Sequence, residues 1–307
     1  MPELRFDGEA AIVTGAGRGL GRAYALLLAS RGALVVVNDL GAALDGTGGS
    51  DSPADSVVEE IERAGGRAVA NHASVSDPDG AKSIVDDAFR AFGRIDILVN
   101  NAGIKRQQPF ATEPVDDFRL LMEVSFFGAL YMTKAVWPHM THAGYGRVVN
   151  TVSSSIFGLP DYAAYVSSKG AVLGLTRALA AESLALGIRV NAVAPAAVTR
   201  FMHAGGAASS ILDWAEKTLD PALVAPVVAF FAHKECPLNG VVFGAGGGQV
   251  GSWKLGETLG IVEHKLTPES IRDRLGEILD EKSFQAYGTT ADQAKRMLPY
   301  LDAQLGR

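Results

Sequence analysis

Two residues four apart, Tyr165 and Lys169, have the types and spacing for proton transfer. On a helix that spacing turns both side chains the same way. An ammonium beside a phenol favours the phenolate and lowers its pKa from about 10. A tyrosine tuned in this way can serve as general base or acid near neutral pH. On spacing alone, such a pair is more often an ordinary surface pair. Ser153 stands twelve residues before Tyr165, where its hydroxyl could donate to a substrate oxygen as charge develops there.

A second group has the chemistry of anion binding. Thr14-Gly15-Ala16-Gly17-Arg18-Gly19-Leu20-Gly21 lies between a predicted strand and a predicted helix. Glycines there allow a tight turn and close approach to a pyrophosphate, and the helix N-terminus offers free N–H groups to the anion. Asp39 ends the next strand, about 20 residues after the glycines. A carboxylate at that place accepts from the adenosine ribose hydroxyls and repels a 2′-phosphate, so NAD is favoured over NADP. Arg18 is the counter-argument, because a guanidinium in the loop could pair with that phosphate. Asn100-Asn101-Ala102-Gly103 follows the fourth strand, and its small residues leave room for a ligand.

The elements that must position these residues alternate. Predicted strands lie at 10–13, 34–38, 68–71, 95–99, 147–151 and 189–194, with a last one at 241–243. Predicted helices lie at 21–30, 54–64, 81–92, 115–139 and 163–186. Apolar strands alternating with amphipathic helices about every 30 residues imply right-handed βαβ units. The expected fold is α/β, a single-domain doubly wound parallel sheet with helices on both faces. It spans residues 1–250, and a helical extension over 251–307 packs on it. In the extension, Thr267-Pro268-Glu269 reads as a helix start, with Ile271, Leu275, Ile278 and Leu279 on one face.

The 307 residues are 48% hydrophobic and 20% charged, which excludes a disordered or fibrous chain. A net charge of −6 leaves no basic surplus for nucleic acid. No apolar stretch is long enough to span a bilayer. Cys236 is the one cysteine, so no internal disulfide forms and a reducing cytoplasmic location is expected. No metal site is expected: His139 and His142 lack further partners and read as a surface pair.

Taken in order, the glycine loop, Asn100-Asn101-Ala102-Gly103, Ser153 and Tyr165-x-x-x-Lys169 resemble the pattern of the short-chain dehydrogenase/reductase family. The resemblance covers residues from about 7 to 250 and implies a Rossmann-like fold. Stretches 21–25, 36–41, 58–61 and 145–147 look like the (3R)-hydroxyacyl-CoA dehydrogenase domains within that family. Those domains occur fused to a hydratase and a sterol carrier, so the expectation is that any hydratase is a separate protein. The resemblance implies that Tyr165 takes the substrate hydroxyl proton and Ser153 orients the substrate oxygen. Lys169 would hold the nicotinamide ribose and lower the tyrosine pKa. It implies cofactor contacts at Gly15, Gly17, Arg18, Gly19, Leu20, Asp39, Ser74, Val75, Asn101, Ala102, Gly103, Pro195, Val198 and Thr199. A homodimer or homotetramer is implied by the family's habit of pairing the two long helices between subunits.

The chain departs from the family pattern at three places. The usual Ser–Tyr spacing of thirteen falls on Val152, so Ser153 is taken as the site serine, with Ser154 as its rival. Ser125 stands where the family often has an asparagine that supports a proton relay. Ala73 stands where an aspartate commonly meets the adenine. The implied activity is NAD-dependent oxidation of a secondary alcohol, the 3-hydroxyl of an acyl-CoA. Two alternatives stay open: a hydroxysteroid dehydrogenase, and a catalytically idle NAD-binding module. Lys105 and Arg106 read either as a solvated basic pair or as contacts to CoA phosphates. The stretch 200–219, with Met202, Gly205, Gly206 and Trp214, reads as a lid over the substrate or as a surface loop.

Overall fold

The computed structural model describes residues 3–43, 45–50, 52–198 and 209–305. The chain divides into two compact units, Met1–Ser252 and Trp253–Arg307. In the first unit, seven parallel strands form the sheet: β1 (Ala10–Thr14), β2 (Leu34–Asn38), β3 (Arg67–Asn71), β4 (Ile97–Asn100), β5 (Gly146–Thr151), β6 (Ile188–Pro195) and β7 (Val242–Gly246). Their order is β3-β2-β1-β4-β5-β6-β7, the doubly wound arrangement. The order reverses at β1, so a crevice opens between the carboxyl ends of β1 and β4.

Helices α1 (Gly19–Ser30), α2 (Ser52–Arg63) and α3 (Pro78–Phe92) follow the first three strands. Then come α4 (Val115–Leu121), α5 (Gly128–Ala143), α6 (Ala163–Ser183), α7 (Ser209–Thr218) and α8 (Ala225–Ala232). Alternation along each strand sorts the core into two layers. Ala11 and Val13 pack with Tyr24 and Leu28 of α1, Ile61 of α2 and Phe231 of α8. Ile12, Leu98 and Val148 pack on the other face with Ile84 of α3 and Met132 and Met140 of α5. Local signals set the ends. Asp77 caps α3 by accepting from the Asp79 N–H at 3.2 Å, and Gly93 closes it in the left-handed conformation.

Several elements differ from expectation, α7 and α8 among them, which no predicted helix covers. An eighth strand, β8 (Gln249–Ser252), pairs antiparallel with β7. All four of its residues are exposed, so it carries no burial pattern to read. Gly247 and Gly248, both at positive φ, make the two-residue hairpin turn before it. The single helix expected over 115–139 is instead α4 and α5 joined by a π-helical stretch, Met122–Phe127. Ser125 lies in that wider stretch.

In the second unit, β9 (Gly256–Glu257) pairs antiparallel with β10 (Gln285–Ala286). Thr267 caps α9 (Pro268–Asp273) by accepting from the Ser270 N–H at 3.1 Å. The helix expected through Leu279 breaks at Arg274, and Leu275–Ile278 forms a separate turn, α10. The last helix, α11, spans Thr290–Leu305.

The crevice is stitched across its base by Thr14. Its hydroxyl oxygen accepts from the Asn101 and Ala102 N–H groups at 3.0 and 3.1 Å. The Asn101 side-chain amide returns two bonds, to the carbonyls of Thr14 and Gly15, both at 3.0 Å. Thr14→Val keeps the shape and leaves two backbone donors without their acceptor. It should cost about 1 to 3 kcal/mol of stability by urea denaturation; an unchanged midpoint would show that the stitch contributes nothing.

Candidate active site

The crevice holds a cleft of about 250 Å³. Its lining comes from the turns after four strands: Gly15, Arg18, Gly19 and Leu20; Asp39; Ser74 and Val75; Asn101, Ala102 and Gly103. The glycines are sterically required. A Cβ on Gly15 would stand 2.8 Å from the Ala102 Cα, and one on Gly17 would stand 2.9 Å from the Asp39 carboxyl. Arg18 is the N-cap of α1, is exposed, and makes no side-chain capping bond. No acid lies in the first turn of α1, so its N–H groups face the cleft without a side-chain anion. That donor set fits a pyrophosphate.

Asp39 does more than face the cleft. Its two carboxylate oxygens accept from the Gly17 N–H at 2.8 Å and the Gly41 N–H at 2.7 Å. It therefore fastens the glycine loop to the end of β2. A carboxylate has about four acceptor sites, so lone pairs remain for ribose hydroxyls.

Tyr165 and Lys169 lie on α6, one turn apart, and β5 brings Ser153 to them. Ser153, not the exposed Ser154, reaches the Tyr165 hydroxyl in a hydrogen bond. Lys169 is 4% exposed, and its ammonium donates to the Thr151 carbonyl at 2.9 Å. It sits 5.9 Å from the centre of the Tyr165 ring. Burial pushes the Lys169 pKa down to about 8. Ser125 is 3% exposed, and its hydroxyl has no hydrogen-bond partner among the described residues. A Cβ on Gly103 would meet Lys169 Nζ at 3.5 Å and Ser125 Oγ at 3.6 Å, so both groups border the same small space.

The short chain dehydrogenase family model matches residues 9–208. The chain belongs to the short chain dehydrogenases. It is thus an oxidoreductase acting on CH–OH groups, in a family that uses NAD(P). It is 42% identical over 282 residues to mouse peroxisomal multifunctional enzyme type 2, covering 90% of this chain and 37% of that protein. The solved full-length Drosophila melanogaster multifunctional enzyme type 2 superposes with a TM-score of 0.80 at 32% identity, over 98% of this chain and 50% of that one. The chain thus spans half or less of these relatives' length. A 7α-hydroxysteroid dehydrogenase, solved with NADH and 7-oxo glycochenodeoxycholic acid, superposes with a TM-score of 0.72 at 30% identity, over 81% and 98% of the two chains.

Several expectations for the dehydrogenase site need correction. The Tyr165 pKa is raised, not lowered: burial dominates, and the Ser153 hydrogen bond only partly opposes it. Lys105 and Arg106 are not a solvated pair. Arg106 is held by Asp117 and by the Asp45 carbonyl, and Lys105 lies half-buried over the Tyr162 ring at 4.2 Å. His139 stacks on Phe89 with ring centres 5.0 Å apart. Among the described residues, no group of three His, Cys, Asp or Glu could hold a metal, and no helix is long and apolar enough to cross a membrane. Pro195 ends β6, and the Val198 N–H donates to the Leu219 carbonyl at 2.8 Å. Thr199 and 200–208, the first part of the expected lid, lie outside the described residues; the rest forms α7, on which Trp214 is 57% exposed. No spacing marks what Thr14 and Thr151 do at the site: Thr14 acts through its hydroxyl and carbonyl oxygens, and Thr151 through its carbonyl alone.

The buried Lys169 gives the ligand-free dehydrogenase a pH-dependent stability. Unfolded, the lysine keeps its ordinary value of 10.5; folded, it releases its proton near 8. Between these values the unfolded chain binds more protons, so stability rises with pH across that window and the cost is full below it. Relative to Lys169→Met, the ligand-free protein should gain about 2 to 3 kcal/mol from pH 7.5 to 10 in urea unfolding. Parallel curves for the two proteins would mean the ammonium is solvated.

Proposed function

We propose that this dehydrogenase oxidises the 3-hydroxyl of a (3R)-hydroxyacyl-CoA, with a fatty or steroid side chain, using NAD. The observation that carries the reaction is the juxtaposition of Ser153, Tyr165 and Lys169 beside a glycine-lined cleft. The substrate class follows from the hydroxyacyl-CoA dehydrogenase-like stretches and from the multifunctional relatives. NAD follows from Asp39, whose charge opposes a 2′-phosphate.

When bound, the oxidised nicotinamide would supply the hydride acceptor. The chain's own part is to hold the alcohol and take its proton. Ser153 would donate to the substrate oxygen, and Tyr165 would accept the carbinol proton while the C–H bond releases hydride and a ketone forms. Burial alone makes Tyr165 a poor anion, so a protonated Lys169 is needed to favour the phenolate. The Thr151 carbonyl keeps that ammonium in place. Ser125, with an unused hydroxyl beside Lys169, is proposed to pass protons toward it through water. The glycine loop and α1 would hold the pyrophosphate, Asp39 the adenosine ribose, and Ser74 and Val75 the adenine. Asn101, Ala102, Gly103, Pro195, Val198 and Thr199 would meet the nicotinamide half.

A hydroxysteroid is the second reading, favoured by the relative solved with a 7-oxo bile acid. The proposed homodimer or homotetramer rests on the family resemblance alone. The proposed cytoplasmic location rests on the lone cysteine, Cys236, which is buried.

NADH formation should be fast with a (3R)-hydroxyacyl-CoA and slow with its (3S) epimer and with estradiol. Tyr165→Phe should lower kcat by about 100-fold or more while leaving NADH binding intact. Turnover of estradiol alone would move the protein to the steroid reading. Asp39→Ala should lower the ratio of NAD to NADP affinity by about tenfold or more, because it removes a charge-assisted acceptor and the repulsion of the 2′-phosphate. It should also lower the melting temperature, since the Gly17 and Gly41 N–H groups lose their acceptor. An unchanged affinity ratio would leave Asp39 as a loop fastener only.

A further inference from the structure

The segment leaving β4 runs past Tyr165, and its side chains are accounted for one by one. Ile104 is buried with Leu121 and Ala164, against which Tyr165 also packs. Arg106 is spent on Asp117 and the Asp45 carbonyl. Gln107 accepts from the Tyr162 hydroxyl at 2.8 Å, and Gln108 donates to the Thr112 carbonyl at 3.0 Å. The Gln108 N–H also ties the segment to the Asp161 carbonyl at 2.8 Å. Lys105 sits among these anchored neighbours with neither a hydrogen-bond acceptor nor an anion among the described residues. Its ammonium lies 4.2 Å from the Tyr162 ring centre and 5.7 Å from that of Tyr165. Two aromatic faces attract a cation but satisfy none of its three N–H donors. A half-buried ammonium with unused donors, beside the phenol that meets the reacting alcohol, is placed to bind an oxygen of the substrate.

We propose that Lys105 is a substrate-binding residue whose ammonium donates to the thioester carbonyl two carbons from the reacting carbinol. This rests on the hydroxyacyl-thioester function proposed above. In a 3-hydroxyacyl thioester the two oxygens stand in a 1,3 relation and can face the same side. One then meets Ser153 and Tyr165 while the other meets Lys105. An alcohol without that second oxygen has nothing to offer the lysine, so the residue selects for β-hydroxy carbonyl compounds. The burial that lowers the Lys105 pKa also strengthens a bond made to its charged form.

The test uses the 3-hydroxyacyl thioester of N-acetylcysteamine, which carries the thioester and no phosphate, beside the CoA thioester. Lys105→Met should lower kcat/KM for both by about tenfold to a hundredfold, the range for a hydrogen bond to a charged group. Calorimetric binding of the 3-oxo thioester to the NAD-loaded protein, a pair that cannot exchange hydride, should weaken by a similar factor, and NADH affinity should not change. Lys105→Arg should recover part of both losses. An unchanged kcat/KM for the N-acetylcysteamine thioester would overturn the proposal. So would a loss seen with the CoA thioester alone, which would put the lysine on a phosphate, or an equal loss of NADH affinity. A wild-type protein inert on both thioesters but active on a hydroxysteroid would sink the substrate reading itself, and the Lys105 proposal with it.

Discussion

The site depends on one seam, the set of hydrogen bonds between Thr14 and the turn after β4. A doubly wound sheet leaves a gap where the strand order reverses, because the chain departs from β1 and β4 toward opposite faces. Nothing in a β-ladder closes that gap, since strand pairing ends at Val13 and Val99. The Thr14 hydroxyl and the Asn101 amide continue the pairing with side-chain atoms past the last ladder bond. Only then can Gly15 and Ala102 approach closely enough that a Cβ would collide. The cleft has its width because these two turns are held, and a ligand lying across them meets backbone on both sides.

A second network beneath the seam positions the titratable groups. Asn100 of β4 donates to Asn150 of β5 at 2.9 Å, and Asn150 donates to Thr176 of α6 at 2.9 Å. These bonds bind α6 to the sheet below Lys169. The lysine can then be buried on one carbonyl, that of Thr151, without a carboxylate. An ion pair there would hold the ammonium more firmly but would also neutralise it. A single neutral acceptor leaves the charge available to the tyrosine and to whatever binds between them. The cost is a pKa drawn down toward neutrality by burial, so the charge that serves the phenol is itself lightly held.

The parallel sheet, the order of its units and the glycine loop were legible because each repeats a strong local signal. Apolar strands, amphipathic helices and glycines at turns point to the same structure. Tyr165 and Lys169 were legible as a pair because helical spacing fixes which side chains share a face. Their pKa values were not, since spacing says nothing about burial, and burial outweighed the partner for Tyr165. Asp39 reads from its position as a ribose acceptor, but its second task, holding Gly17, needs a contact over 22 residues that no periodicity encodes. The π-helical stretch at Ser125 escaped for a related reason: its residue types suit an ordinary helix, and tertiary packing decides the extra width. Gly128, one residue past that stretch, lies where a Cβ would stand 2.8 Å from a Val75 side-chain carbon, so α5 begins in tight contact with the turn after β3.

Lys105 and Lys169 make the limits of residue type plain. Both are lysines, both lie within 6 Å of the same phenol ring centre, and both are drawn below the usual lysine range by burial. One arrives on a helix at a fixed spacing and ends on a backbone carbonyl. The other arrives on a loop, where Ile104 is sunk into the core and Arg106 is tied to Asp117, and it ends over an aromatic face with its donors unused. The helix fixes Lys169 relative to Tyr165 whatever the substrate. The loop makes the placement of Lys105 depend on neighbours that the catalytic residues do not constrain. A constant chemistry and a variable recognition can therefore be built around one tyrosine, with the rigid element carrying the first and the anchored loop carrying the second.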